Sequence, residues 1–349
     1  MDKKILTVYT GGTICTSPTP QGRELSPTLA KRALLLGFSE SNSLYAKSCE
    51  GLFEDSGICE EYQTLSENMT FSKLWRIIEH IREFDLAKYR GVVILHGTDT
   101  LAFSAAMLSF VFSDTPVPIM MVSGNRPPMD VKSNAIANFT AAVELIMKGI
   151  APNVYVPYRN SDGLIHLNLG SALVQCAEYS EDFFSAPNKS FLITDDGLLG
   201  KCSELSKKRD SLNIPARFIG KAMLVYPYTG LDYRHIRLRG VKGAVHGGYH
   251  SGTVCVERNN MSESYSTSSV LYFAKKCKRR GIPLFIAPTR LDSEQYSSLY
   301  DLANSSDVEL LDMTAEAAYA KLVLGISNQL GREELKKFMK SEINNEFGC

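Results

Sequence analysis

Gly91-Val92-Val93-Ile94-Leu95-His96-Gly97-Thr98-Asp99-Thr100 is the stretch whose reading decides the fold. Residues 92–95 are apolar with no polar alternation, the pattern of a strand buried on both faces. The run ends at Gly97, presents two hydroxyls and a carboxylate, and passes at residue 101 into a segment apolar almost all round. That segment, 101–112, predicts a buried helix. In an open α/β sheet, ligands bind in the crevice outside the carboxyl ends of the strands. Thr98 and Asp99 are therefore predicted to lie in that crevice. Ile5-Leu6-Thr7-Val8-Tyr9, followed by Thr10-Gly11-Gly12-Thr13-Ile14, repeats the pattern. Two strand ends, each delivering a threonine beside glycine, predict one site built from both.

Working outward, 118–122 reads as the next strand, followed by Ser123-Gly124-Asn125-Arg126-Pro127-Pro128 as a third loop at the same edge. Thr70 can cap a helix in which Phe71, Leu74, Ile77, Ile78 and Ile81 recur at helical spacing. Further helices are predicted at 29–36 and 133–148, and a strand at 153–157. This alternation argues for a parallel sheet. Residues 15–27 read as a loop leaving the site, suited to a lid, and 39–62 as irregular. The rhythm breaks near 188–218, which places a linker at 191–218 between an N-terminal domain (1–190) and a smaller C-terminal one (219–349). There, strands are predicted at 221–226, 243–246, 282–287 and 308–311. Helices are predicted at 264–280, from Asp292 with Gln295 in the reciprocal capping position, and from near Thr314 and Gly331. The fold class is α/β: a larger N-terminal domain with a parallel sheet flanked by helices, plus a smaller C-terminal α/β domain.

The chain has 349 residues, which suits two domains. Thirty-eight basic residues balance thirty-eight acidic ones, so no attraction to nucleic acid or an anionic membrane is expected. No apolar run approaches the roughly 20 residues of a membrane span. The start runs straight into a strand, so no secretion signal is expected, and the eight scattered cysteines without a CxxC pair read as reduced thiols of a cytoplasmic protein. No metal or cofactor is expected. His246 and His250 have the i, i+4 spacing of helical metal ligands, but His246-Gly247-Gly248-Tyr249-His250-Ser251-Gly252 reads as a loop.

Thr10-Gly11-Gly12-Thr13-Ile14 with His96-Gly97-Thr98-Asp99-Thr100 resembles the two signatures of bacterial-type L-asparaginases, including the glutaminase subunit of the archaeal tRNA-dependent amidotransferase. The resemblance extends to Leu65-Ser66-Glu67-Asn68-Met69-Thr70 and to Asp312-Met313-Thr314-Ala315-Glu316-Ala317, and so spans nearly the whole chain. It implies an asparaginase-like fold and a threonine nucleophile, Thr13, attacking a side-chain amide carbonyl. A threonine hydroxyl needs a base or a polarising environment to attack, and the plainer alternative for Thr13 is a turn residue satisfying backbone groups. The resemblance gives Thr98 a part in activating water or nucleophile. It gives Asp99 the substrate α-ammonium and Ser66 the α-carboxylate, with Glu67 a second anion beside the ammonium. Gly12 and Gly97 allow close backbone approach. The plainer alternative for Thr98, Asp99 or Thr100 is a helix N-cap, and for Glu67 an acidic residue near a positive helix end.

Two departures stand out. Arg23, in Gln21-Gly22-Arg23-Glu24-Leu25, stands where many asparaginases carry a lid tyrosine. Counting back from Phe183-Phe184-Ser185-Ala186-Pro187-Asn188 puts Gln175 in the slot of the family lysine that pairs with Thr98 and Asp99, with Lys132 a candidate spatial substitute. The expected activity is hydrolysis of the side-chain amide of L-asparagine to the acid and ammonia, with glutamine or a related amide as further candidate substrates. The alternatives are a glutaminase subunit supplying ammonia to a partner, and a weakened ligand-binding member of the family. The amidotransferase subunit has an extra N-terminal domain for which this chain is expected to have no room. The resemblance also implies a homodimer or homotetramer whose sites are completed by a neighbouring subunit, with 246–252 the candidate contribution.

Overall fold

The structure, a computed structural model, describes residues 3–20, 22–48, 51–57, 61–206, 212–259, 264–289 and 296–348. The cap expected at Asp292 and Gln295 lies outside the described residues. The chain divides into two compact units, Met1–Leu212 and Asn213–Cys349.

In the first unit, β1 (Ile5–Tyr9) leads through a short helical turn into a two-stranded hairpin, β2 (Thr16–Thr19) and β3 (Gly22–Leu25), and then α1 (Pro27–Ser39). The stretch expected to be a plain loop is thus a hairpin, with Pro18 opposite Arg23. Next come β4 (Phe53–Asp55), α2 (Phe71–Arg82), β5 (Gly91–Leu95) and α3 (Leu101–Val111). β6 (Ile119–Val122), α4 (Ala135–Met147) and β7 (Val154–Arg159) follow, then β8 (Ile165–Leu169), β9 (Ser190–Leu192) and α5 (Leu198–Leu205). Thr70 does cap α2, its side chain accepting from Lys73 N at 3.3 Å.

The sheet order is β4-β1-β5-β6-β7-β8-β9. The chain steps from β1 outward to β4 and then returns to β5 on the other side. The order of winding therefore reverses between β1 and β5, the switch point at which open α/β sheets open a crevice. β4 to β7 are parallel, whereas β8 and β9 add on antiparallel, so the sheet is mixed at one edge. Residues 190–205, most of which fall in the expected linker, supply that edge strand and a helix whose Leu198 and Cys202 join the first core.

Alternation sorts the strand residues between two faces. Ile5, Tyr9, Val93, Leu95, Met120, Val122 and Tyr155 pack with α1, α4 and α5 in one apolar cluster. Leu6, Val8, Val92, Ile94, Ile119 and Met121 are as fully buried on the opposite face. α3 contacts β7 without joining the first cluster, which places it on that opposite face. This two-sided cover is what the unbroken apolar run of β5 announces.

The second unit holds a four-stranded parallel sheet in sequential order, β10 (Ala222–Val225), β11 (Gly243–His246), β12 (Leu284–Ile286) and β13 (Glu309–Leu310). Its helices are α6 (Val270–Lys278), α7 (Ser297–Ala303), α8 (Ala315–Ser327) and α9 (Arg332–Lys340), with α8 packed on β10 and β11. α8 buries Lys321 completely, and its ammonium meets the equally buried Glu346 carboxylate at 2.7 Å and the Ser341 carbonyl. The same carboxylate accepts from the backbone N–H groups of Ile343 and Asn344, tying the last residues to the helix. Removing one member of a buried pair leaves the other charge uncompensated. Glu346→Gln is therefore expected to cost about 3–5 kcal/mol of stability, read as a lowered denaturant midpoint. An unshifted midpoint would show that the pair contributes little.

Candidate active site

Strands β1 and β5 end level, Tyr9 opposite Leu95. Their following loops are locked together from the first residue, since Thr10 gives both its N–H (3.0 Å) and its hydroxyl (2.8 Å) to Leu95 O. Beyond that point the glycines are obligatory. Gly12 has φ 71°, and a Cβ on it would stand 2.1 Å from Gly97 Cα. A Cβ on Gly97 would stand 2.4 Å from Ser66 Cβ. Only residues without side chains let the three loops close on one another. Gly12 N also donates to Thr64 O at 2.8 Å, which brings in the loop before α2.

Ser66 Oγ donates to the Asp99 carboxylate at 2.6 Å, and Asp99 N lies 3.3 Å from the same oxygen. Thr100 Oγ1 donates to Ser66 O at 3.0 Å. Thr100 is the N-cap residue of α3, yet no side chain caps that helix. The plain capping alternative thus fails for Thr98, Asp99 and Thr100, because the latter two spend their side chains on Ser66. Thr13 opens the short turn Thr13–Cys15, and its carbonyl accepts from Thr16 Oγ1 at 2.8 Å. Its partly exposed hydroxyl has no hydrogen-bond partner among the described residues.

Gln175 reaches the same cluster, its amide donating to Asp99 O at 2.6 Å. Thr98, Asp99 and Gln175 line a cavity of about 320 Å³ together with residues 176–181. Thr13, Gly12, Ser66 and Glu67 are not among its lining residues. Lys132 stands apart: it lines a neighbouring cavity with Arg159 and Asp182 and does not join Asp99. Arg23 is exposed on β3. Sequence reading misses the 176–181 loop, which has no periodicity and enters the site only through the antiparallel edge of the sheet. Its Cys176 lines the cavity as well. Burial pushes that thiol up, against the reactive ionised form.

His96 ends β5 and is buried and neutral, its Nδ1–H donating to Gly97 O at 2.8 Å and its pKa pushed down to about 4 by burial. His246 ends β11 in the same way, with Gly247 O at 2.6 Å and the Tyr233 hydroxyl on Nε2 at 2.7 Å; burial lowers it to about 4 as well. It is thus a satisfied core histidine, and no group of metal-ligating residues occurs among the described residues. Both folded-state values lie below the ordinary 6.5, so the unfolded chain takes the proton first. The stability of each neutral histidine is complete above about pH 6.5 and is lost as pH falls towards 4, by up to about 1.4 kcal/mol per pH unit each. The denaturant midpoint is expected to drop over that window, and His246→Gln to flatten the drop. An unchanged slope in the variant would refute burial of an uncharged ring.

The fold and the site define a doubly wound α/β protein with a threonine- and carboxylate-bearing pocket at its switch point. The family model described as "Asparaginase, N-terminal" matches residues 4–197, more than half of the chain, and the chain belongs to the asparaginase family. It is 28% identical over 295 residues to a glutamyl-tRNA(Gln) amidotransferase subunit from Pyrobaculum aerophilum, covering 81% of this chain and 67% of that one. Identity to the corresponding amidotransferase subunit from Saccharolobus islandicus is 24% over 358 residues, covering 99% and 76%. Among solved structures, L-asparaginase I from Vibrio cholerae superposes with a TM-score of 0.70 at 22% identity over the whole of both chains. The thermostable L-asparaginase from Thermococcus kodakarensis gives 0.69 at 20%, with 99% of each covered. At those identities the structures share the fold. No helix among the described residues is long and apolar enough to cross a membrane.

Proposed function

We propose that this asparaginase-family amidohydrolase cleaves the side-chain amide of asparagine, glutamine or a related amide amino acid, with Thr13 as nucleophile. The observation that carries the reading is the closure of three loops on one point: Gly12 against Gly97, and Ser66 on the Asp99 carboxylate at 2.6 Å. In this reading Ser66 and Glu67 receive the amino-acid head. Asp99 holds its ammonium through a charge-assisted bond, about twice as strong as a neutral one. Thr13 Oγ adds to the amide carbonyl, the amine leaves, and water releases the acid. Thr98 sits beside Asp99 to orient nucleophile and water, and Gln175 takes the place of the family lysine.

A second reading, a glutaminase delivering ammonia to a partner subunit, is favoured by the amidotransferase subunits among the relatives. One experiment separates these and the weakened-binder alternative: ammonia release from a panel of amides by the purified chain. Asparagine and glutamine turnover by the chain alone supports the first reading. Turnover of glutamine only, coupled to a co-purifying subunit, supports the second, and no turnover by either route removes both. A cytoplasmic homodimer or homotetramer completes the proposal, with 246–252 of a second copy as the contributed loop. A monomeric mass by light scattering in a fully active sample would refute it.

A further inference from the structure

The loop at 176–181 carries a residue that the free molecule holds at a cost. Ser180 N donates to Ala177 O at 3.0 Å, which closes a β-turn over 177–180. The third residue of that turn, Tyr179, has φ 59°. This left-handed position suits glycine or asparagine, and a bulky side chain there is strained. The other non-glycine residues with positive φ among the described residues are Asn188, Gln329 and Asn345, so Tyr179 is the one aromatic among them.

A second observation is independent of the backbone. Tyr179 lines the active-site cavity with Thr98, Asp99 and Gln175, yet it is 107% exposed. It makes no hydrogen bond and no ring contact among the described residues. A large ring beside the site thus leaves its apolar area in water, and nothing in this state offsets the strain.

The two feet of the loop are fixed and its tip is not. On one side Gln175 donates to Asp99 O at 2.6 Å. On the other, Glu181 accepts from Asn125 at 2.7 Å and Asp182 from Ser161 Oγ at 2.6 Å. Between them, the exposed tip 177–180 is tied only to its neighbours in sequence among the described residues: Cys176 Sγ donates to Ser180 O at 3.2 Å, and Asp182 N to Ser180 Oγ at 3.1 Å. A short tip on fixed feet, with few buried contacts, belongs to the segments that open and close most readily.

Resting on the proposed function, we infer that Tyr179 is a substrate-covering residue. When the amide amino acid occupies the cavity, the 177–180 turn rearranges, φ leaves the left-handed region and the ring lies over the ligand. Closure relieves the strain and buries the ring, the two features that the free state leaves uncompensated. The ring and not the hydroxyl carries the effect, because apolar area is what the free state leaves in water.

The test joins hydrogen exchange to kinetics. Exchange is followed over 176–181 in Thr13→Ala, with and without saturating asparagine or glutamine. Protection there is expected to rise on binding, and to stay at the free level when Tyr179→Ala is added. Should Thr13→Ala not fold, wild type with aspartate or glutamate, the products, gives the same comparison. KM is expected to rise at least about 10-fold in Tyr179→Ala and Tyr179→Gly, as truncation of a buried aromatic contact requires, and to stay within about twofold in Tyr179→Phe. The denaturant midpoint of Tyr179→Gly should exceed that of Tyr179→Ala, because only glycine takes φ 59° without strain. A residue serving its turn alone would leave the stabler Tyr179→Gly with KM unchanged, which overturns the inference. Hydrolysis with no protection by either amide overturns it while leaving the proposed function intact. An unchanged KM with a lower mass by light scattering in Tyr179→Ala overturns it too, giving the ring to an interface between copies. Protection on binding with no hydrolysis of any amide upholds the closure and removes the hydrolytic reading instead.

Discussion

Thr13→Ala is expected to lower kcat/KM for amide hydrolysis by at least about 10³-fold, the size of loss seen when a nucleophile is removed and only binding and polarisation remain. The unfolding midpoint should barely move. The Thr13 hydroxyl makes no hydrogen bond among the described residues, and the contacts that shape its turn run through its backbone carbonyl, which the substitution keeps. Loss of activity without loss of stability would therefore isolate a chemical role. A variant retaining more than a few per cent of wild-type turnover would show that Thr13 is only a turn residue, the plainer alternative its sequence position also allows. Circular dichroism and thermal melts on the same preparation make the comparison clean.

The parts of this protein legible in the sequence are those set by local pattern. The apolar run of β5, the glycine-bounded loops after β1 and β5, and the Thr70 cap each follow from a few consecutive residues. The glycine pairs even foretell the close approach of the two loops, because φ 71° and a 2.1 Å clearance admit nothing larger. What escapes is non-local or too short to have a period. β4 is three residues long and carries two acids, Glu54 and Asp55, so it shows no strand signature. β8 alternates in sequence, but its antiparallel pairing with β7 follows from a turn at 160–163 that a parallel reading of the βα rhythm passes over. β9 and α5 lie in a stretch whose charges suggest a linker, and only their packing against the first sheet assigns them. The cavity wall at 176–181 hangs from that same edge, which is why a polar, aperiodic segment becomes part of the site unannounced.

Gln175→Lys is expected to raise hydrolysis of primary amides by about 10²–10⁴-fold, the usual contribution of a placed proton-transfer group. Gln175 already lies against the residue a lysine would need, donating to Asp99 O at 2.6 Å. A lysine introduced there would be held by the Asp99 carboxylate and could take up the proton that Thr98 and the nucleophile give off, which a glutamine amide cannot. Lys132 does not fill the gap, since it opens onto the neighbouring cavity, and Lys132→Ala is expected to leave turnover unchanged. A fast wild-type enzyme that Gln175→Lys leaves unchanged or impairs, with Lys132→Ala inactive, would sink this account and make Lys132 the working base. A wild type slow on primary amides that gains from Gln175→Lys would tie the glutamine to the rate.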